Sequence, residues 1–125
     1  MYVNTTDTTL TVVLEGKEQL FAFKAKVVVP KGTIQSISYH KTFSEWRGME
    51  IRMPGSYMPS WLMAGSYWTD QGWDFIYAKK PKGVIKPELT NVLVINTDLN
   101  RYNRIIIGLP QNRSKELIDW FNESK

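Results

Sequence analysis

The sequence contains no cysteine and only one histidine, His40, among its 125 residues. Disulfides, thiol chemistry and thiolate metal sites are therefore excluded, and a site built from several histidines cannot be assembled. We expect no metal and no cofactor. Because a chain without cysteine suits a reducing compartment, we predict a cytoplasmic protein. The length is typical of one domain that buries its own core.

Long hydrophobic runs and strong charge of one sign are also missing. No segment approaches the roughly 18 apolar residues of a membrane-spanning helix, and the N-terminus lacks the basic leader and apolar core of a secretory signal. These features predict a soluble protein. The net charge is only +4, and the basic residues are not clustered as they are in nucleic-acid-binding proteins, which argues against a nucleic-acid partner.

The sequence does contain short stretches in which apolar and polar residues alternate, a pattern typical of strands with one face in water. Strands are predicted at residues 11–14, 20–29, 33–40, 49–53, 73–77, 92–95 and 102–107. The apolar residues of the third stretch change parity, which predicts either a β-bulge or a late start of the strand. Residues 67–73 predict a hairpin. Residues 1–9 predict a mobile lead-in, and residues 41–46 a loop.

The C-terminal end has the pattern of one amphipathic helix of about three turns. Asn112 or Ser114 can cap this helix, and Leu117 and Phe121 belong to its apolar stripe. A series of strands followed by one helix predicts a small antiparallel barrel or sandwich whose open end the helix covers.

Several short motifs, in this order and spacing, resemble the bacterial pleckstrin-homology-like (PH-like) domain family. They are Arg52-Met53-Pro54-Gly55, Ala64-Gly65-Ser66-Tyr67, Gly72-Trp73-Asp74-Phe75, Asn91-Val92-Leu93-Val94-Ile95 and Tyr102-Asn103-Arg104-Ile105-Ile106. The resemblance implies a mainly β fold: a PH-like barrel of two near-orthogonal antiparallel sheets with about seven strands, capped by one C-terminal α-helix. It implies a single domain over residues 15–125, with residues 1–14 as an extension or short extra strand. It implies no catalytic residues.

Two arrangements offer candidate catalytic chemistry. His40 has a side chain that titrates near neutral pH, but it stands without a serine, cysteine or acid at a motif spacing. Asp70 and Asp74 flank the hairpin and could act as paired carboxylates. A turn role explains Asp70 and a solvent-facing strand position explains Asp74, so we predict that the protein is not an enzyme.

The densest basic segment spans residues 79–86. Its candidate anion- or lipid-binding residues are Lys79, Lys80, Lys82 and Lys86. Lysines in a loop of this kind could contact phosphates or an anionic membrane surface. A simply solvated loop is the alternative interpretation.

Aromatic residues supply the remaining candidates. Most of the five tryptophans are expected to fill the core of a small β protein. Trp46 in a loop, Trp61 after a proline corner and nearby Tyr57 are the aromatic residues that could contact a ligand or partner.

Three functional hypotheses follow. The first is a non-catalytic interaction module that binds a protein partner, or itself as a weak dimer, through open strand edges. The second is a binder of anionic lipid or phosphate that uses the 79–86 loop. The third is a binder of a small molecule or carbohydrate that uses exposed tryptophans.

Overall fold

The structure is a computed structural model, and it describes residues 1–22, 25–44, 51–52, 61–69, 71–81, 88–99 and 102–123. The fold is mainly β, with two sheets and a C-terminal helix. The strands are β1 (Tyr2–Thr5), β2 (Thr9–Val13), β3 (Lys26–Pro30), β4 (Ile34–Phe43), β5 (Ile51–Arg52), β6 (Leu62–Thr69), β7 (Gly72–Lys79), β8 (Leu89–Thr97) and β9 (Arg104–Gly108). The helices are α1 (Lys17–Ala22) and α2 (Gln111–Asn122), and a 3-10 turn (Lys31–Thr33) joins β3 to β4.

The first sheet contains three antiparallel strands in the order β1-β2-β3. Val3 pairs with Val12, and Leu10 pairs with Val29, so alternate residues point into the core. Helix α2 is attached to the same strands, because Arg113 donates a hydrogen bond to the Val3 carbonyl and the Trp120 indole donates to the Thr6 carbonyl. The expected mobile lead-in over residues 1–9 is therefore wrong: residues 1–14 contain two strands that belong to the sheet.

The second sheet contains six strands in the order β4-β8-β9-β7-β6-β5. Strand β9 lies antiparallel to β8 but parallel to β7, so this sheet is mixed and the all-antiparallel prediction is wrong. Strands β6 and β7 form the predicted hairpin, with Thr69 opposite Gly72. The register of β4 against β8 shifts between Ile34 and Ser36, which fits the first of the two predicted alternatives, a bulge. Within the described residues the two sheets do not close into a barrel.

Three local predictions differ from the structure. Residues 17–22 form α1, whereas the alternation had predicted a strand from residue 20. Strand β4 continues to Phe43, into the predicted loop of residues 41–46, because it stays paired with β8 up to Leu89. Helix α2 has the predicted length, but its N-cap is Pro110, without a side-chain cap, so Asn112 and Ser114 do not cap it. Neither helix in the described part of the chain is long and apolar enough to cross a membrane.

The main core lies between the two sheets and is closed by α2. Phe75, Ile105 and Ile107 of the six-stranded sheet meet Leu10 and Val29 of the smaller sheet, while the α2 stripe of Leu117 and Phe121 packs against them. The predicted alternation of Trp73, Phe75 and Tyr77 fits this arrangement, because all three belong to or pack against this core.

The opposite face of the six-stranded sheet carries a second apolar cluster. Its members are Phe43, Met63, Tyr67, Ile76, Ala78, Leu89, Val92, Val94 and Ile106. The central strands are therefore apolar on both faces, as in sheets that are covered on both sides.

Asp74 and Arg104 form a buried ion pair on this second face. They stand opposite each other where β7 runs parallel to β9, and the Arg104 Nε donates a 2.8 Å hydrogen bond to Asp74 Oδ2. The side chains are 0% and 3% exposed, and the Arg104 guanidinium lies over the Phe43 ring. The prediction that Asp74 faces solvent is therefore wrong.

Replacing one partner of this pair should destabilise the fold strongly. Asp74→Asn keeps the shape but leaves the Arg104 charge buried, so we expect a loss of about 3–5 kcal/mol in the free energy of unfolding. Urea denaturation measures this loss. Asp119→Asn, which removes an exposed carboxylate from α2, is the charge-matched control and should change stability by less than about 0.5 kcal/mol. Equal stabilities of the two variants would contradict the assigned role.

Candidate functional site

A recess of about 550 Å³ lies at one end of the six-stranded sheet, beside α1 and the start of the chain. Its lining residues are Met1, Glu18, Trp61, Leu62, Tyr77, Ala78, Lys79, Thr90, Asn91, Gly108, Leu109 and Pro110. Ligand pockets in proteins typically measure about 300–1,000 Å³ and combine apolar walls with a few polar groups. The recess has both properties.

The floor of the recess is set by the register of the sheet. Leu62 of β6 stands opposite Lys79 of β7, and the Leu109 backbone N–H donates a 2.9 Å hydrogen bond to the Asn91 carbonyl. Leu62 and Leu109 are buried, whereas Lys79 and Asn91 are exposed. The sheet thus presents an apolar surface with polar groups from two different strands.

Trp61 lies directly before β6, and 42% of its surface is exposed. Its carbonyl accepts a 2.8 Å hydrogen bond from the Lys80 backbone N–H, which extends the β6–β7 pairing by one step. The backbone beneath the ring is therefore held in place while the ring stays accessible. An exposed aromatic ring on an anchored backbone suits stacking against a ligand.

Glu18 of α1 and Tyr77 of β7 lie together in one wall of the recess. The Glu18 carboxylate accepts hydrogen bonds from the Met1 ammonium and from the Glu15 backbone N–H. Burial acts to raise the pKa of Glu18, but these hydrogen bonds outweigh it and lower the pKa. Burial, together with the adjacent Glu18 charge and a hydrogen bond to it, raises the pKa of Tyr77 to about 12.

Asn91 has an unusual backbone conformation for a strand residue, with φ at +54°. Asparagine tolerates this left-handed region better than most residues. The turn in the backbone lets Leu89 and Val92, three positions apart, both reach the second apolar cluster. It also exposes the Asn91 side chain, whose Oδ1 accepts a hydrogen bond from the Tyr39 hydroxyl. Strained backbone of this kind is frequent at binding sites.

Of the residues predicted from the sequence, the structure brings Trp61 and Lys79 together in the recess. Lys80 follows Lys79, is half-exposed and does not line the recess. Lys82, Lys86, Trp46 and Tyr57 lie outside the described residues.

Trp68 departs from the expectation that most tryptophans fill the core. It is 48% exposed and packs edge-on against Trp73 at the hairpin, with ring centroids 5.2 Å apart. Neither ring lines the recess. Trp68 is therefore an exposed tryptophan outside the site, which makes it a natural control for Trp61.

The two catalytic candidates occupy other places. His40 lies in β4, where its Nε2 is 2.9 Å from the Ser38 hydroxyl and its ring packs edge-on against Phe43. The sequence had not suggested this serine contact, which arises because residues two apart share one face of a strand. No described carboxylate contacts the His40 ring. Asp74 is bound to Arg104, and its proposed partner Asp70 lies outside the described residues.

Metal-ligating side chains do not converge in the described ranges, where no group of three His, Asp or Glu residues could hold an ion. Sequence reasoning missed Glu18 and Asn91 as recess residues. They come from α1 and β8, and only the tertiary fold brings them to the end of β6 and β7. The positive φ of Asn91 leaves no sign in the sequence beyond an asparagine within a strand.

Titration to alkaline pH should reveal the raised pKa of Tyr77 in the recess. Because the folded pKa of about 12 lies above the ordinary value of 10.0, the stabilisation from the Tyr77 phenol is complete below pH 10 and is lost as pH rises through 12. Tyr77→Phe should remove the tyrosinate absorbance that develops at the highest pH. It should also reduce the decrease in the free energy of unfolding as pH rises from 10 to 12. Tyr2→Phe, which removes an exposed phenol, should do neither. An unchanged late titration in Tyr77→Phe would contradict the assignment.

Comparison with known protein families, with curated proteins and with solved structures finds no match for this chain. Any function must therefore be inferred from the chemistry of the residues themselves.

Proposed function

We propose that the protein is a non-catalytic binding protein that holds a small organic molecule in the recess beside Trp61. The observation that carries this proposal is that the exposed Trp61 ring and the exposed Lys79 side chain line one cavity of about 550 Å³ over an apolar floor. Of the three hypotheses from the sequence, this arrangement favours the small-molecule or carbohydrate binder.

The chemistry of the recess supports binding of a ring. Stacking of a flat or weakly polar face on Trp61 buries apolar surface on both partners, and contacts with Leu62 and Leu109 add to it. Thr90 and Asn91 supply a hydroxyl and an amide that can orient a polar edge. The ligand that fits best is therefore a single ring with one apolar face and polar substituents.

A comparison of Trp61 with Trp68 tests this proposal directly. Isothermal titration calorimetry with methyl glucoside, benzyl alcohol, benzoate and uridine as probes should detect binding of at least one. For that probe, Trp61→Ala should weaken binding about tenfold or more, because the stacking surface is lost. Trp68→Ala removes a ring of similar exposure outside the recess and should leave binding intact. Equal effects of the two variants, or no binding by any probe, would refute the proposal.

The interaction-module hypothesis is supported by a separate feature, strand β4. In the described part of the chain, this ten-residue edge strand pairs on one side only, with β8. It contains no proline and one lysine, Lys41, so it has few of the devices that normally block strand addition. We propose that an extended protein segment, including β4 of a second copy, can pair along this edge. The element order of two sheets and a final helix also supports kinship with PH-like interaction domains, although the parallel β7–β9 pair departs from that pattern.

A lysine introduced on the unpaired edge of β4 should oppose pairing with another strand. Ser36→Lys introduces a lysine at an exposed β4 position, whereas Gln111→Lys adds the same charge on α2. Sedimentation velocity over increasing protein concentration should show self-association that Ser36→Lys weakens and Gln111→Lys preserves. A strictly monomeric wild-type protein would rule out pairing with a second copy.

The anionic-surface hypothesis has less support. Of its two described lysines, Lys79 lines the recess and Lys80 does not, while Lys82 and Lys86 lie outside the described residues.

A further inference from the structure

We infer that the recess selects a ligand whose ring carries a negatively charged group, and that Lys79 binds this group. The inference rests on the proposed function of the recess and adds to it the charge and the orientation of the ligand. Three features carry it: the Lys79 ammonium, which has no partner among the described residues, the existing pairing of Glu18 with the Met1 ammonium, and a second donor on Asn91.

Lys79 is the last residue of β7, next to the hydrogen bond that joins Lys80 to Trp61. Its side chain is exposed and forms no ion pair or hydrogen bond with any described residue. An ammonium group has three donors and no acceptor capacity, so its natural partner is an anion. A ring stacked on Trp61 would place its substituents within the same cavity as this group.

The charged groups that line the recess are unequally satisfied. Glu18 is paired with the Met1 ammonium and also accepts a 2.9 Å hydrogen bond from the Glu15 backbone N–H. Lys79 has no such partner among the described residues. An anion is therefore attracted to Lys79, whereas beside Glu18 it would meet a carboxylate whose counter-charge is already engaged. The charged group of the ligand therefore lies beside Lys79.

Asn91 strengthens this preference. Because its Oδ1 accepts the hydrogen bond from Tyr39, its amide nitrogen keeps two donors for which the described residues offer no acceptor. An anion bound by Lys79 could accept from this amide as well. Hydrogen bonds to a charged group are stronger than those between neutral groups.

The test uses pairs of probes that differ only in the charged group. Glucose with glucuronate represents an acidic sugar, and benzyl alcohol with benzoate represents an aromatic acid. In calorimetry at low salt, the anionic member of at least one pair should bind about tenfold more tightly, and this difference should shrink as salt is added. The pair with the larger difference in affinity shows whether the ligand ring is a sugar or an aromatic ring.

Variants at two exposed lysines test whether Lys79 is responsible for the preference for an anion. Lys79→Gln should bring the affinity for the anionic member close to that for the neutral member, and Lys79→Arg should restore most of the difference. Lys26→Gln removes an exposed charge from β3, outside the recess, and should preserve the difference.

The outcomes distinguish a failure of the inference on charge from a failure of the proposed binding function. If wild-type protein binds neutral and anionic members equally, or if Lys79→Gln weakens both members of a pair by the same factor, the inference on charge is overturned while the recess remains a binding site. If neither member of any pair binds, the inference on charge is overturned, and if methyl glucoside and uridine also fail to bind, the proposed function fails with it.

Discussion

The parallel pairing of β7 with β9 joins two halves of the six-stranded sheet, and the buried pair of Asp74 and Arg104 lies across that junction. On one side is the β5-β6-β7 meander, and on the other are β4, β8 and β9. A shift of one residue would place the Asp74 carboxylate and the Arg104 guanidinium on opposite faces of the sheet, among apolar side chains. Because an uncompensated buried charge is strongly unfavourable, the ion pair restricts the two halves to one register.

The recess depends on this register. Trp61, Leu62 and Lys79 come from the β6–β7 half, whereas Asn91 of β8 and Leu109, directly after β9, come from the other side of the junction. Their relative positions are therefore fixed by backbone pairing within the sheet and do not rely on a long loop. Sites built on strands hold their side chains more rigidly than sites built on loops, which reduces the entropy lost on binding.

The sequence predicts the parts of this fold that have one face in water. The α2 stripe and the alternation of residues 73–77 are visible because polar residues mark the outer face. The same logic misplaces Asp74, since a charged residue on a strand normally faces solvent and its partner Arg104 is 30 residues away. Parallel pairing of β7 with β9 is equally hidden, because strand direction leaves no trace in alternation.

The candidate site could be predicted only in part. Trp61 and Lys79 stand out because exposed aromatic and basic residues in a corner or loop suggest contacts with a ligand. Glu18 lies in α1, just before the segment that was predicted as a strand, and the local sequence does not mark it as a recess residue. Asn91 could be recognised only from its positive backbone φ angle, which the sequence does not reveal. Each omission has the same physical origin, since tertiary packing decides the conformation of short segments with mixed local preference.

The position of β9 has a consequence for the order in which the sheet can form. Strand β9 lies between β7 and β8 in space, although it follows both in the chain. During synthesis, the β6–β7 hairpin and the pairing of β4 with β8 can form early, but they remain separate until residue 108 is available. Insertion of a late strand between two earlier ones requires contacts between distant residues, which slows folding. Until then, β7 and β8 both present unpaired apolar edges, and this interval is when the chain is most exposed to aggregation.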